Sequence, residues 1–469
     1  MDKITGFSDD ELLVKILSFL PTKFAITTSV LSKRWKFLWM RVPKLEYEMS
    51  MYSSEFYHRY LFPEEGDSET YSIELERCER MRCFIDKNLP LHSSPVIKSL
   101  KLTFYNELFQ PEAIKLWVEI AISRCVEELS VAFSSLKGKL NVVMPSSLYT
   151  CKSLVTLKLT NGIYVDVPHV FCLPSLKTLH LRHVIYADEE SLQRLLSNSS
   201  VLEDLVMQLY PYDNVRKFAV IIPSLLSLSF RISESDMGAS KEFRIDTPSL
   251  KYFTVFCKSS FGLIESMPKL EEANITASHN IKKLLELVTS VKRLSLTIMH
   301  DNAEITKPSF VQALTAVYAK DIVFKELEHL KFRIHHAYWS KVLHWLLIAS
   351  PKLRKLEFDE HFSRDGMDTL VCWKQLNSVP QCLLSSLQTF KWTCYQISVE
   401  CKDLVKYILR KSCQLKTAKI VFGRGLDPQK KFETETEVKF CFRASPIVIL
   451  STAEESCESR LLTALKFLY

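Results

Sequence analysis

A chain of 469 residues is too long for one ordinary core, so several units or one elongated repeat array are expected. Hydrophobic residues at 47% and charged residues at 25% exclude a disordered chain, and only 9 glycines argue against phosphate-cradling loops. The net charge of +7 is spread over 61 basic and 54 acidic residues, which is a poor basis for nucleic-acid binding, since that needs a concentrated basic face.

Met1 to Asp10 is polar and acidic, unlike the charged-then-apolar layout of a secretory signal. An uncharged run from Phe218 to Phe230 spans 13 residues and contains Pro223, short of the roughly 20 that cross a bilayer. Thirteen scattered cysteines with no Cys-x-x-Cys pair fit a reducing compartment. We therefore expect a soluble, intracellular protein of the nucleus or cytoplasm, without membrane partner, metal or cofactor. Cys78 and Cys83 with His92 are the nearest approach to metal spacing, but structural zinc favours tighter pairs. Cys151, Cys172 and Cys413, each ahead of a strand-like run, read as buried residues.

Ser8-Asp9-Asp10-Glu11 forms a capping box, and the helix it opens carries Leu12, Leu13, Ile16, Leu17 and Leu20 as a broad apolar stripe. Pro21 ends that helix. Thr22 is placed to cap a second helix to about Val30, and Ser32 a third holding Trp35, Leu38 and Trp39. Three short helices bury little surface alone, so their apolar side chains require a partner within the chain or outside it. The stretches Ser8–Leu13, Lys15–Pro21 and Ser29–Trp39, the last with Leu-Ser-Lys-Arg-Trp, resemble the F-box, in particular that of plant F-box/FBD/LRR proteins. The resemblance implies docking on a Skp-type adaptor and through it on a cullin. It assigns Leu12, Ile16, Leu17, Leu20, Pro21, Val30, Leu31, Trp35 and Leu38 to adaptor contact or to holding the helices. Phe7-Ser8 stands where the family has Leu-Pro, which implies weaker adaptor affinity.

The segment from Glu46 to Ser72 is rich in Tyr, Ser and acid and reads as a joint or as an insertion. From Ile97 to Ile420 an apolar-x-x-apolar-x-apolar pattern starts thirteen times, at Ile97, Val126, Leu154, Leu176, Leu202, Leu225, Leu250, Leu270, Val291, Leu327, Leu353, Leu387 and Leu415. Most spacings lie within the roughly 20–29 residues of leucine-rich repeats, and each pattern ends in strand alternation. Helices are predicted over Asp188–Ser197, Ile281–Val288 and Ala337–Ala349. The expected fold is an α/β solenoid, an irregular leucine-rich-repeat horseshoe preceded by a small all-α module.

The residues flanking each central strand leucine form a polar face. His180, Arg182, Arg231, Arg293, Lys331 and Arg333 on it are candidate contacts for an acidic segment of a target protein. Cys372-Trp373, Val379 to Leu387, Phe390-Lys391-Trp392 and Tyr407-Ile408-Leu409 resemble the FBD motif of the same family, which implies terminal repeats closing the array. Past Gly423, Val438–Phe442 is the most strand-like stretch. The expected divisions are 1–45 F-box, 46–92 linker and entry helix, 93–367 repeats, 368–422 FBD-like repeats and 423–469 tail.

No Gly-x-Ser-x-Gly, phosphate loop or His-Glu-x-x-His occurs. His335-His336, with His329 and His344, would point oppositely along a strand and so make poor joint ligands. The expected role is a non-catalytic, substrate-recruiting receptor subunit of an SCF-type (Skp–cullin–F-box) ubiquitin ligase. An F-box-derived scaffold with weak or no ligase coupling is the alternative that Phe7-Ser8 motivates.

Overall fold

A computed structural model describes residues 10–49, 68–104, 109–134, 141–210, 214–232, 241–257, 262–277, 281–298, 322–334, 339–360, 378–395, 397–423, 425–445 and 449–454. The chain divides into two compact units, Met1–Thr247 and Pro248–Tyr469.

The first unit opens with helix α1 (Asp10–Leu17), α2 (Thr22–Thr27) and two 3-10 turns, Thr28–Val30 and Trp35–Arg41. Leu13, Leu17, Ala25, Trp35, Leu38, Trp39 and Val42 close on one another as a small core. Arg34 donates to Asp10 at 2.8 Å, fastening the start of α1 to the third helical turn. The Ser8 capping box lies outside the described residues. Thr22 does not cap α2: Pro21 takes that position with extended backbone, and the buried Thr22 Oγ1 instead accepts from the Glu46 amide at 2.7 Å. The Ser32 side chain likewise accepts no capping bond from the third helical turn, whose cap position is Arg34.

After the helices come β1 (Lys44–Met49), α3 (Ser68–Asn88), β2 (Ser99–Phe104), α4 (Pro111–Ser123) and β3 (Glu128–Phe133). Next are β4 (Val142–Val143), β5 (Thr156–Asn161), β6 (Ile163–Val165), β7 (Thr178–Arg182) and β8 (Ile185–Tyr186). Then follow α5 (Glu189–Ser197), β9 (Asp204–Leu209), β10 (Lys217–Ile221), β11 (Ser227–Ile232) and β12 (Glu242–Asp246). β1, β2, β3, β5, β7, β9 and β11 pair side by side, all parallel and in register. The register aligns Leu45, Leu100, Leu129, Leu157, Leu179, Leu205 and Leu228 in one row. These leucines are buried, each contributing about 1.5–3 kcal/mol by leaving water.

The expected alternation of strand and helix holds only in part. β4, β6 and β8 form a second, short parallel ribbon, and β10 pairs with β12, so several repeats return through strands. Their alternating side chains explain it: in Lys217–Ile221, Phe218 and Val220 face inward while Lys217 and Ile221 are exposed. α5 forms where Asp188 caps it, accepting from the Ser191 amide at 2.5 Å. With glycine scarce, Cys125, Asn161 and His183 take the positive-φ corners after a helix or strand.

The second unit contains β13 (Tyr252–Cys257), β14 (Leu263–Ile264), β15 (Glu272–Ala277), α6 (Ile281–Leu287), β16 (Arg293–Ile298) and β17 (His329–Ile334). Then come α7 (Trp339–Ala349), β18 (Lys355–Glu360), α8 (Gln381–Ser385), β19 (Thr389–Cys394) and α9 (Val399–Lys411). It ends with β20 (Thr417–Phe422), α10 (Pro428–Lys439) and β21 (Ile449–Glu454). β13, β15, β16, β17, β18, β19, β20 and β21 again pair parallel and in register. Ser398 caps α9, and Leu404, Val405 and Ile408 bury its inner face; Cys372 and Trp373 lie outside the described residues.

All thirteen predicted motifs are strands, and β1 and β21 are two that were not predicted. β1 crosses the expected division between residues 45 and 46. Val438–Phe442 is not a strand: Pro428 starts α10, Asp427 caps it, and the Lys439–Glu435 pair at 2.6 Å helps hold its end. Cys151 is buried as expected, whereas Cys172 and Cys413 are exposed on the turns before their strands.

Leu181 is fully buried in β7, whereas Thr178 on the same strand faces the polar side. Leu181→Ala is expected to cost about 2–5 kcal/mol in urea denaturation, and Thr178→Ala less than about 0.5 kcal/mol.

Candidate protein-interaction surfaces

The helical module has one dry face and one wet apolar face. Helical spacing in α1 turns Leu13 and Leu17 into the core and leaves Leu12 and Ile16 on the surface. Of the nine positions the F-box resemblance assigned, Leu17, Trp35 and Leu38 are buried and hold the helices together. Leu12, Ile16, Leu20, Pro21, Val30 and Leu31 are exposed, Val30 at 85%. Three more exposed aromatics were missed: Phe19 at 81%, Phe24 and Phe37. The signal for Phe24 and Phe37 was their place one residue from the core positions Ala25 and Leu38, which turns a side chain outward; Phe19 lies just past the end of α1.

This module is fixed to the repeats rather than hung on a joint. The Met40 carbonyl accepts from the Ser93 and Ser94 amides, at 2.8 and 3.2 Å. The Val42 carbonyl accepts from the buried His92 Nε2 at 2.6 Å, and Arg124 donates to the His92 and Ser94 carbonyls. Burial holds the His92 imidazole below its ordinary pKa, which keeps it neutral in this seat. The three residues nearest to metal spacing have separate settings: Cys78 is buried near Met49, Cys83 is exposed and His92 serves Val42. Residues 50–67, most of the expected linker, lie outside the described residues.

On the polar face of the first unit, His180 Nε2 meets Asp204 at 2.7 Å, and burial lowers the pKa of the half-buried Arg182 and Arg231 guanidiniums. In the second unit Arg293 pairs with Glu272 at 2.8 Å. Asp359, its side chain only 8% exposed, meets Lys331 at 3.2 Å and Arg333 at 3.6 Å. Glu357 is met by Lys355 at 2.6 Å, His329 at 3.2 Å and Lys391 at 4.0 Å. The hydrogen bond from His329 and the two ammoniums drive the Glu357 carboxyl far below the usual carboxylate range, against the opposing effect of burial.

Arg293, Lys331 and Arg333 thus already have internal carboxylate partners, as has His180 through its ring nitrogen. The sequence reading missed those carboxylates because Asp204, Glu272, Glu357 and Asp359 occupy the same alternating positions. Aligning the thirteen motifs row by row would have placed them. Of the histidine cluster, His329 serves Glu357 and His344 sits on α7, while His335 and His336 lie outside the described residues. Among the described residues no helix is long and apolar enough to cross a membrane.

Because the Glu357 pKa is depressed by folding, its stabilisation is complete above the ordinary carboxylate range and is lost as pH falls through the folded value. Glu357→Gln is expected to lower stability by about 1–3 kcal/mol at neutral pH. The difference from wild type should shrink in strongly acidic buffer, as urea denaturation at the two pH values would read.

Comparison with known proteins agrees with this geometry. The F-box domain profile matches residues 9–47, and the FBD profile matches 375–420. A profile for the LRR repeats of the FBD-associated F-box protein At5g56370 matches 114–271. The Arabidopsis thaliana relative named as an F-box/FBD/LRR-repeat protein, At5g62970, is 69% identical over 453 residues, covering 95% of this chain and 98% of its own. The FBD-associated F-box protein At4g10400 of the same plant is 43% identical over 454 residues, 95% of this chain and 98% of its own. The F-box/FBD/LRR-repeat protein At5g56420 is 37% identical over 426 residues, 89% of this chain and 90% of its own. With an F-box at its start, leucine-rich repeats behind it and an FBD near its end, this chain belongs to the F-box/FBD/LRR-repeat family.

Proposed function

We propose that this chain is the substrate-recruiting receptor subunit of an SCF-type ubiquitin ligase, its F-box docking on a Skp-type adaptor and through it on a cullin. The observation that carries the reading is the helical module's exposed apolar face. The module has closed its own core, yet Leu12, Ile16, Phe19, Leu20, Phe24, Val30, Leu31 and Phe37 remain in water. So many large apolar side chains left exposed on one small folded module mark a protein-docking surface. The strand ladders are read as stretches of an irregular leucine-rich-repeat solenoid whose polar face receives a target protein. In this role the chain is a non-catalytic subunit that works without cofactor or membrane, in the nucleus or cytoplasm. The alternative of a scaffold uncoupled from a ligase rests on Phe7 and Ser8, outside the described residues, and no structural observation favours it.

The test separates the face from the core. Leu20→Asp with Leu31→Asp alters exposed positions only, and is expected to weaken capture of a Skp-type adaptor at least about tenfold with unchanged thermal unfolding. Leu17→Asp, at a fully buried position, should instead unfold the module and lose capture for that reason. A wild-type chain that captures no Skp-type adaptor would remove the ligase role.

A further inference from the structure

The polar face of the second unit's sheet carries charge that its own fold does not use. Glu357 and Asp359 are the only carboxylates at the polar-face positions of β17, β18, β19 and β20. They are surrounded by Lys331, Arg333, Lys355 and Lys391, so basic groups exceed acidic ones. The excess gathers at one place. Parallel pairing sets Lys391 of β19 directly opposite Lys419 of β20. Like charges facing each other across a sheet are unfavourable, so folding alone gives no reason for the pair.

Neither lysine is well compensated. Lys391 reaches Glu357 only at 4.0 Å, and that carboxylate is already engaged by Lys355 at 2.6 Å and His329 at 3.2 Å. Lys419 is exposed and pairs with no described carboxylate. The other polar-face residues of the two strands are Thr389, Thr393, Thr417 and Val421, none of them acidic. Thr417 Oγ1 donates to Thr389 Oγ1 at 3.3 Å, setting two hydroxyls on the same side, two residues before the lysines.

We propose that Lys391 and Lys419 are the contacts by which the FBD strands hold an acidic segment of a partner protein, with Thr389 and Thr417 beside them for its backbone. The inference rests on the reading of the repeats as a target-binding surface, and it moves the contact from the six basic residues expected from sequence to this pair. Adjacent strands lie about 4.8 Å apart, and alternate side chains of an extended peptide about 6.6 Å apart, a difference that two flexible lysine stems absorb. A peptide is favoured over nucleic acid because the uncompensated charge is confined to one lysine pair, whereas a phosphate backbone needs an extended basic face.

The test uses the full-length chain and a fluorescein-labelled twelve-residue peptide of alternating Glu and Ser, read by anisotropy at low ionic strength. K391E with K419E is expected to weaken binding at least about tenfold. K269E with K430E, the same charge change at exposed lysines elsewhere in the unit, should weaken it less than about threefold. K391Q with K419Q serves in place of the reversal if circular dichroism shows the latter misfolded. Equal weakening in both double variants overturns the proposal, as does tighter binding of a twelve-residue oligothymidylate at the same pair. Capture of a Skp-type adaptor is measured on the same samples. Adaptor binding without peptide binding defeats this inference alone, and peptide binding without adaptor binding defeats the ligase reading alone.

Discussion

Parallel, in-register pairing of similar repeats is the constraint on which everything else in this protein depends. A single six-residue strand such as β5 has two open edges and buries only Leu157 and Leu159, too little to stand alone. Stacked against neighbours, its amides and carbonyls are paired on both sides and its leucines join a continuous row. The same register decides the other face. It sets Lys391 against Lys419, and brings Lys331 and Arg333 within reach of Asp359. Surface chemistry here is a consequence of strand alignment.

β1 brings the helical module under the same constraint. Val42, Leu45 and Tyr47 have the spacing of a repeat, and β1 pairs with β2 through six successive positions. Thr22 holds the Glu46 amide, while His92 and the Ser93 and Ser94 amides hold the Val42 and Met40 carbonyls. The last turn of the F-box therefore leads directly into the first strand of the sheet. An adaptor bound to the exposed helical face is thereby held in a set orientation to the first repeats, which matters for any receptor that presents a partner to other subunits.

Much of this was legible in the sequence because the repeat pattern is redundant. Thirteen occurrences of one apolar spacing outvote local exceptions such as Ala273 and Ala418, small residues in otherwise large-residue rows that are still buried in β15 and β20. The F-box was legible for a different reason, a dense run of motif residues from Lys15 to Trp39. What escaped falls where one signal serves two structures. Val42-Pro43-Lys44-Leu45 read as the end of the helical motif, so β1 went unseen. Val438–Phe442 read as a strand although the cap and ion pairs of α10 carry the helix to Lys439 and the chain turns after it. The returns through β10 and β12 were hidden because a five-residue alternating run lies equally well in a loop or a strand. The partners of the basic residues were hidden because register is a relation between distant segments, and no local window contains both Lys331 and Asp359.

The central claim is that one protein face, the exposed helical surface of the F-box module, receives the adaptor. Hydrogen–deuterium exchange of the full-length chain with and without a purified Skp-type adaptor addresses it most directly. The account predicts new protection concentrated in residues 12–37, with the amides of β5 to β9 unchanged. Protection confined to the repeats, or none anywhere at saturating adaptor, would contradict it.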